Sequence, residues 1–157
     1  MCLVPLREVR SEDIPVFYSY QADPEANALA GVPARDREAY EAHWAKLRAD
    51  PDVLLRTIVT DEGAVAGQLL SFPRDGVREI GYWLGRRFWG RGIATAALAE
   101  FLPLVTYRPV YGVVSEPNVA SRRVLERNGF VLAERRERES LLPDGPPATI
   151  LVFRLDG

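Results

Sequence analysis

Cysteine and histidine each occur once in this chain of 157 residues. Cys2 alone excludes an intramolecular disulfide and a cysteine-based metal site, and nothing in cysteine usage argues against a reducing compartment. His43 stands in EAYEAHWAKL, a segment with helical character, without partners at metal-ligand spacing. It reads as a helix-surface or interface residue, and no metal is expected. No apolar run approaches the ~20 residues that a bilayer span takes. MCLVPLREVR lacks the basic start and long apolar stretch of a secretory leader. A formal charge of −2 leaves no bulk attraction to nucleic acid or membrane, so any basic site must be local. Repeats, low-complexity tracts and linker-like stretches are also lacking. The expected setting is the cytoplasm.

What is present is an ordinary globular composition, 47% hydrophobic and 27% charged, in a length suited to one domain, residues 1–157. LVPLREV (Leu3 to Val9) reads as a strand. Ser11 then reads as the cap, and Asp13 as a first-turn acid, of a helix through EDIPVFYSYQ. ALAGVP reads as loop. ARDREAYEAHWAKLRAD is a second helix with Tyr40, Trp44 and Leu47 along one stripe, ended by Asp50-Pro51. VLLRTIVT and AVAGQLLSF are strands joined by the turn Asp61-Glu62-Gly63, and PRDG (Pro73 to Gly76) turns into a third, REIGYWLG. A helix follows RRFWGRGIAT and stops near Pro103. PVYGVVS is a strand, PNVASRRVLERNG a helix started at Pro117 and closed by Gly129, and FVLAERRERES and ATILVFRL two last strands. The order β-α-α-β-β-β-α-β-α-β-β describes a mixed α/β domain with about four helices.

The junction RRFWGRGIAT (Arg86 to Thr95) concentrates glycine and arginine between a strand and a helix. The first turn of a helix leaves N–H groups unsatisfied, and these together with the helix dipole bind anions, pyrophosphate above all. Gly90 and Gly92 admit close approach of a ligand to the backbone, and Arg87 and Arg91 can add charge-assisted contacts. GRGIAT also fits a dinucleotide fingerprint, G-x-G-x-x-small, with Glu116 at about the expected distance beyond it. Against that reading, an antiparallel meander precedes the motif, RRFW separates strand from glycine, and too little chain follows for another βαβ half. A P-loop is excluded because no Gly-Lys-Ser/Thr follows.

Arg87-x-x-Gly90-x-Gly92 matches the R/Q-x-x-G-x-G/A signature of the GNAT superfamily of acetyl-coenzyme A-dependent N-acetyltransferases, which the chain closely resembles. NVASRRVLERNGF (Asn118 to Phe130) is similar to the N-x-x-S-x-x-V-L-E-x-x-G-F segment of its RimJ/RimL-like subgroup, which acetylates ribosomal-protein N-termini. EIGYWL and LREVRSED also resemble that subgroup, so the likeness covers nearly the whole chain. It implies a mostly antiparallel sheet splayed after EIGYWLG, with acetyl-coenzyme A held in the gap. Backbone groups of Tyr82, Trp83 and Leu84 would pair with the pantetheine arm, and one N–H would polarise the thioester carbonyl. N–H groups of Phe88, Trp89, Gly90, Arg91, Gly92, Ile93 and Ala94 would hold the pyrophosphate, and Asn118 would orient the pantetheine.

Direct transfer needs a neutral amine, a stabilised tetrahedral intermediate and a donor for the leaving thiolate. Glu79 is the base candidate, on the strand face it shares with Gly81 and Trp83. The other reading of Glu79 is a cross-strand partner of an arginine. Many family members place a tyrosine seven residues after the position of Asn118. Here that residue is Leu125, which leaves Ser121, the donor implied by the RimL-like pattern. Arg122 and Arg123 are candidates to reach the cofactor's 3′-phosphate, the other reading being solvated helix-surface arginines. Tyr18, Tyr20, Trp44 and Trp83 are candidates for an acceptor pocket, with Asp23 and Glu25 to attract a cationic amine. The acceptor expected is a peptide or small-molecule amine, the oligomeric state is open between monomer and homodimer, and a succinyl donor stays open beside acetyl. The alternative function is a non-catalytic acyl-coenzyme A sensor.

Overall fold

The computed structural model describes residues 4–142 and 145–157. Cys2, the expected strand start at Leu3, and residues 143–144 of the LLPDGPP connection lie outside them. The strands are β1 (Leu6–Arg7), β2 (Leu54–Val59), β3 (Val65–Arg74), β4 (Val77–Leu84), β5 (Val110–Ser115), β6 (Val131–Arg138) and β7 (Ala148–Leu155). They form one seven-stranded sheet in the order β1-β2-β3-β4-β5-β7-β6. All neighbours run antiparallel except β4 and β5, which are parallel.

The helices are α1 (Asp13–Gln21), α2 (Pro24–Ala30), α3 (Arg37–Ala49), α4 (Ile93–Phe101) and α5 (Val119–Arg127). On one face of the sheet, Ala97, Leu98 and Phe101 of α4 and Val124 and Leu125 of α5 pack with Leu69, Ile80 and Val110 into the larger core. On the other, Ile14 and Phe17 of α1 meet Tyr40 and Trp44 of α3. The Phe17 and Trp44 rings lie 5.1 Å apart. The stripe read from the sequence of α3 is thus a core stripe.

Three local expectations are corrected. α2 occupies a stretch read partly as loop. Its seven residues are too few to show a hydrophobic period, but its boundaries carry signals: Asp23 accepts from Glu25 N, Pro24 opens the helix and Gly31 closes it at φ 73°. Ser11 does not cap α1. The Asp13 carboxylate instead reaches back to Arg10 N at 2.8 Å and takes both guanidinium nitrogens of Arg7 and the Thr57 hydroxyl. Burial alone would raise the Asp13 carboxyl, but these hydrogen bonds outweigh it and hold the group below the ordinary carboxylate range. Finally, β3 runs through Pro73 to Arg74. The turn shrinks to Asp75-Gly76, both at positive φ (50° and 81°), as a two-residue hairpin of the right twist requires.

Candidate active site

β4 has two different halves. From Arg78 to Ile80 it pairs with β5, in register Arg78↔Val110 to Ile80↔Gly112. Beyond Ile80 that pairing stops, while pairing to β3 continues to Leu84. Parallel strands that diverge leave backbone groups and side chains facing an open gap. A cavity of about 430 Å³ fills it, running from Ala26, Leu29 and Ala30 of α2 past Tyr82–Leu84 and Val113–Ser115 to the facing ends of α4 and α5.

At the α4 end, Gly90 and Gly92 adopt φ 74° and 75°, the left-handed region, and a Cβ on either would meet nothing within 4 Å. These glycines are required by conformation and not by crowding. Among the described residues, no protein acceptor takes the N–H groups of Gly90 to Thr95. No acidic residue stands in the first turn of α4, and among the described residues no carboxylate or imidazole lines the cavity, whereas Arg123 and Arg127 do. An elongated anionic ligand fits this surface: donors and cations at one end, apolar walls along the gap.

Of the residues singled out from sequence, Tyr82, Trp83, Leu84, Phe88, Trp89, Gly90, Gly92, Ile93, Ala94, Asn118 and Ser121 line this one cavity. Arg87 and Arg91 do not. Their guanidinium groups lie 4.6 and 5.9 Å from the Phe88 ring centroid, over its face. Asn118 caps α5, its Oδ1 accepting from Ser121 N at 3.2 Å. Arg122 does not line the cavity; Arg123 does, and so does Arg127, which sequence reasoning missed. Arg127 lies about two helical turns beyond Ala120, which also lines the cavity. That spacing is readable from the sequence, but it carries no chemical label.

Glu79 lies in the closed half of β4, opposite Phe72 and Tyr111, and is not among the cavity-lining residues. It is 8% exposed, with Arg74 Nε of β3 at 3.6 Å. Burial raises its carboxyl above the ordinary value, and Arg74 opposes that rise. This is the cross-strand arrangement that was the second reading of Glu79. Glu116 pairs with Arg135.

On the acceptor side, Asp23 and Glu25 are both held by Arg86, with Arg86 Nε 2.8 Å from Asp23, so one guanidinium balances only one of their two negative charges. Trp44 is 1% exposed in the core. Tyr20 donates to Val65 O at 2.7 Å, and Trp83 Nε1 donates to Tyr20 O at 3.1 Å. Of the proposed aromatic lining, only Trp83 reaches the cavity.

The acetyltransferase (GNAT) domain family matches residues 4–131. The chain belongs to the GNAT acetyltransferase family. It is similar to the "Putative ribosomal N-acetyltransferase YdaF" of Bacillus subtilis, at 31% identity over 76% of this chain and 68% of that protein. A protein of Mycobacteroides abscessus named GTP cyclohydrolase 1 is 27% identical over 78% of this chain and 65% of its own length. The chain therefore spans about two thirds of these curated relatives. The spermidine N-acetyltransferase of Vibrio cholerae, solved with CoA and spermine, superposes with a TM-score of 0.85 at 13% identity, over 98% of this chain and 95% of that one. RimJ of Mycobacterium smegmatis, solved with CoA-disulfide, gives 0.78 at 24% identity, over 99% and 85%. These two likenesses show the GNAT fold, a mixed and mostly antiparallel sheet with five α-helices. Among the described residues no helix is long and apolar enough to cross a membrane.

Proposed function

We propose that this GNAT chain moves an acetyl group from acetyl-coenzyme A directly to a primary amine. The observation that carries the reading is the cavity through the β4–β5 gap, which ends on the unpaired N–H groups of Gly90 to Thr95. Those N–H groups, with Arg123 and Arg127, would hold the phosphates. The backbone edge of Tyr82–Leu84, whose Leu84 carbonyl already accepts from Trp89 Nε1 at 3.0 Å, would pair through its remaining groups with the extended arm as a strand does and present an N–H to the carbonyl that becomes negative. Acetyl-coenzyme A, when bound, supplies an activated thioester. Ser121 lies on the α5 wall and offers its hydroxyl to the leaving sulfur.

Among the described residues no carboxylate or imidazole lines the cavity, so this reading uses no base there: the acceptor enters as its neutral fraction. An α-amino group, with an ordinary pKa of ~8, supplies far more of that form near neutrality than a lysine at ~10. Together with the likeness to RimJ-type proteins, this supports a peptide N-terminus or another weakly basic amine as acceptor.

Free-thiol release from acetyl-coenzyme A across a panel of peptides, polyamines and small amines tests the reading. Turnover with weakly basic amines is expected, with kcat/KM rising with pH up to the acceptor's own pKa. A profile that instead follows a carboxylate's titration, well below the acceptor's own pKa, would restore a base such as Glu79. A second reading, a non-catalytic sensor of acyl-coenzyme A, is favoured by the same lack of a base and by Leu125 at the usual tyrosine position. It expects binding without turnover on any acceptor.

A further inference from the structure

The polar side chains facing the gap are mostly engaged in building it. Ser115 Oγ donates to Leu29 O at 3.0 Å and tethers α2, while Asn118 caps α5. One contact serves no element boundary. The Tyr82 hydroxyl crosses from β4 to α5 and lies 2.5 Å from Ser121 Oγ and 3.3 Å from the Ser121 carbonyl oxygen. Both residues line the cavity.

An exposed serine inside a helix tends to bond back onto its own helix. Ser19 of α1 does so, donating to Val16 O at 2.6 Å. Ser121 Oγ has Tyr82 instead. Of the two hydroxyls a phenol is the more acidic and the better donor. Geometry allows either hydroxyl to donate, and the Ser121 carbonyl at 3.3 Å is a second, longer acceptor for the phenol; with Tyr82 donating to the nearer Ser121 Oγ, the serine hydrogen is left for an acceptor in the cavity. Burial pushes the Tyr82 phenol up to about 12, against the Ser121 hydrogen bond, so it stays protonated at any working pH.

The position at which a tyrosine would stand on α5 is closed. Leu125 is 1% exposed and fills the space over Gly112, where a Cβ would lie 2.8 Å from Leu125 Cδ2. Tyr82 is the one tyrosine among the described lining residues.

We infer that Tyr82 is the positioning residue for Ser121: it holds the serine hydroxyl so that its hydrogen points into the gap, toward the sulfur of the bound donor. The inference rests on the coenzyme A reading above. As the carbon–sulfur bond breaks, Ser121 lends that sulfur one hydrogen bond. The amine nitrogen forms the new bond to the acetyl carbon, and the proton it loses ends on the thiol. Tyr82 and Ser121 leave the step as they entered it.

Coenzyme A and desulfo-coenzyme A binding, measured by titration calorimetry at neutral pH and above the ~8.5 of an ordinary thiol, tests this without turnover. The wild-type protein should prefer coenzyme A at the higher pH by about tenfold, the worth of one hydrogen bond to a charged acceptor. Tyr82→Phe and Ser121→Ala should each lose that preference, and the double variant should lose no more than Ser121→Ala alone. In each variant, affinity for the desulfo compound should fall less than affinity for coenzyme A, whereas loss of a merely structural contact would weaken both alike. A Tyr82→Phe protein that keeps the preference, or whose loss adds to that of Ser121→Ala, overturns the inference. Equal binding of both compounds by wild type overturns it while leaving the coenzyme A cavity standing. Binding of neither overturns the coenzyme A reading itself.

Discussion

The two halves of β4 share one strand and differ in almost everything else. Arg78–Ile80 is bonded to a neighbour on either side, and its charges are engaged in structure. Arg78 donates to Asp52 O at 2.6 Å and covers the Tyr107 ring, 3.9 Å from its centroid. Glu79 sits buried beside Arg74. Gly81–Leu84 keeps only β3 as a partner, and its other edge faces a cavity. The lesson is that a parallel pair which separates part-way turns a stabilising strand into a binding strand. The shift is made by the neighbour that leaves.

Blocking the open half at its anion end should have the largest effect. Gly92→Trp is expected to weaken acetyl-coenzyme A binding by about a hundredfold or more, since it puts an indole where the backbone donors must meet phosphate. The residue's φ of 75° costs an L side chain ~1–2 kcal/mol, so the thermal midpoint should fall modestly and the fold persist. Unchanged affinity by calorimetry would move the phosphate site elsewhere.

Next come the arginines of α5. Arg123→Ala should lower affinity for acetyl-coenzyme A by about tenfold, less at high salt, as expected for a contact made by an exposed charge. Arg122→Ala should change it by less than about twofold, because only Arg123 of the two lines the cavity. Equal losses from both would mean that general positive charge, and not the cavity wall, attracts the ligand.

The closed half should yield the smallest effect. Glu79→Gln is expected to leave kcat/KM within about twofold of wild type. Its stability should also differ by less than about 1 kcal/mol near neutrality, because Arg74 is largely exposed. The pH dependence has a definite sign. Burial raises the folded-state pKa of Glu79 above 4.5, so the folded protein holds that proton more tightly than the unfolded chain. Wild-type stability relative to the variant is therefore greatest below pH 4.5 and is lost as pH rises through the raised value. A large fall in kcat would return Glu79 to the catalytic role that its strand position suggested.

Much of the open half is legible in the sequence. Glycines at a strand-to-helix junction and the asparagine-to-glycine span of α5 have local signatures, and the hydrophobic periods of β4, α4 and α5 are long enough to read. What is not legible depends on contacts between distant segments. α2 is too short for a period and is held by Arg86 from far along the chain. Arg87 and Arg91 have the charge for phosphate but lie over Phe88, a choice set by packing. The side chain of Tyr82 looks like ordinary strand filling until α5 brings Ser121 against it. Alternation correctly puts Glu79 and Trp83 on one face, but it does not show where β5 departs, and that point separates the two residues' surroundings.

Hydrogen exchange followed with and without acetyl-coenzyme A tests the central claim most directly. Slowed exchange is predicted at the amides of Tyr82–Leu84 and Gly90–Thr95, with little change across Arg78–Ile80, whose ladders are already closed on both sides. Protection that falls on the closed half, or that NAD reproduces and acetyl-coenzyme A does not, would contradict the account.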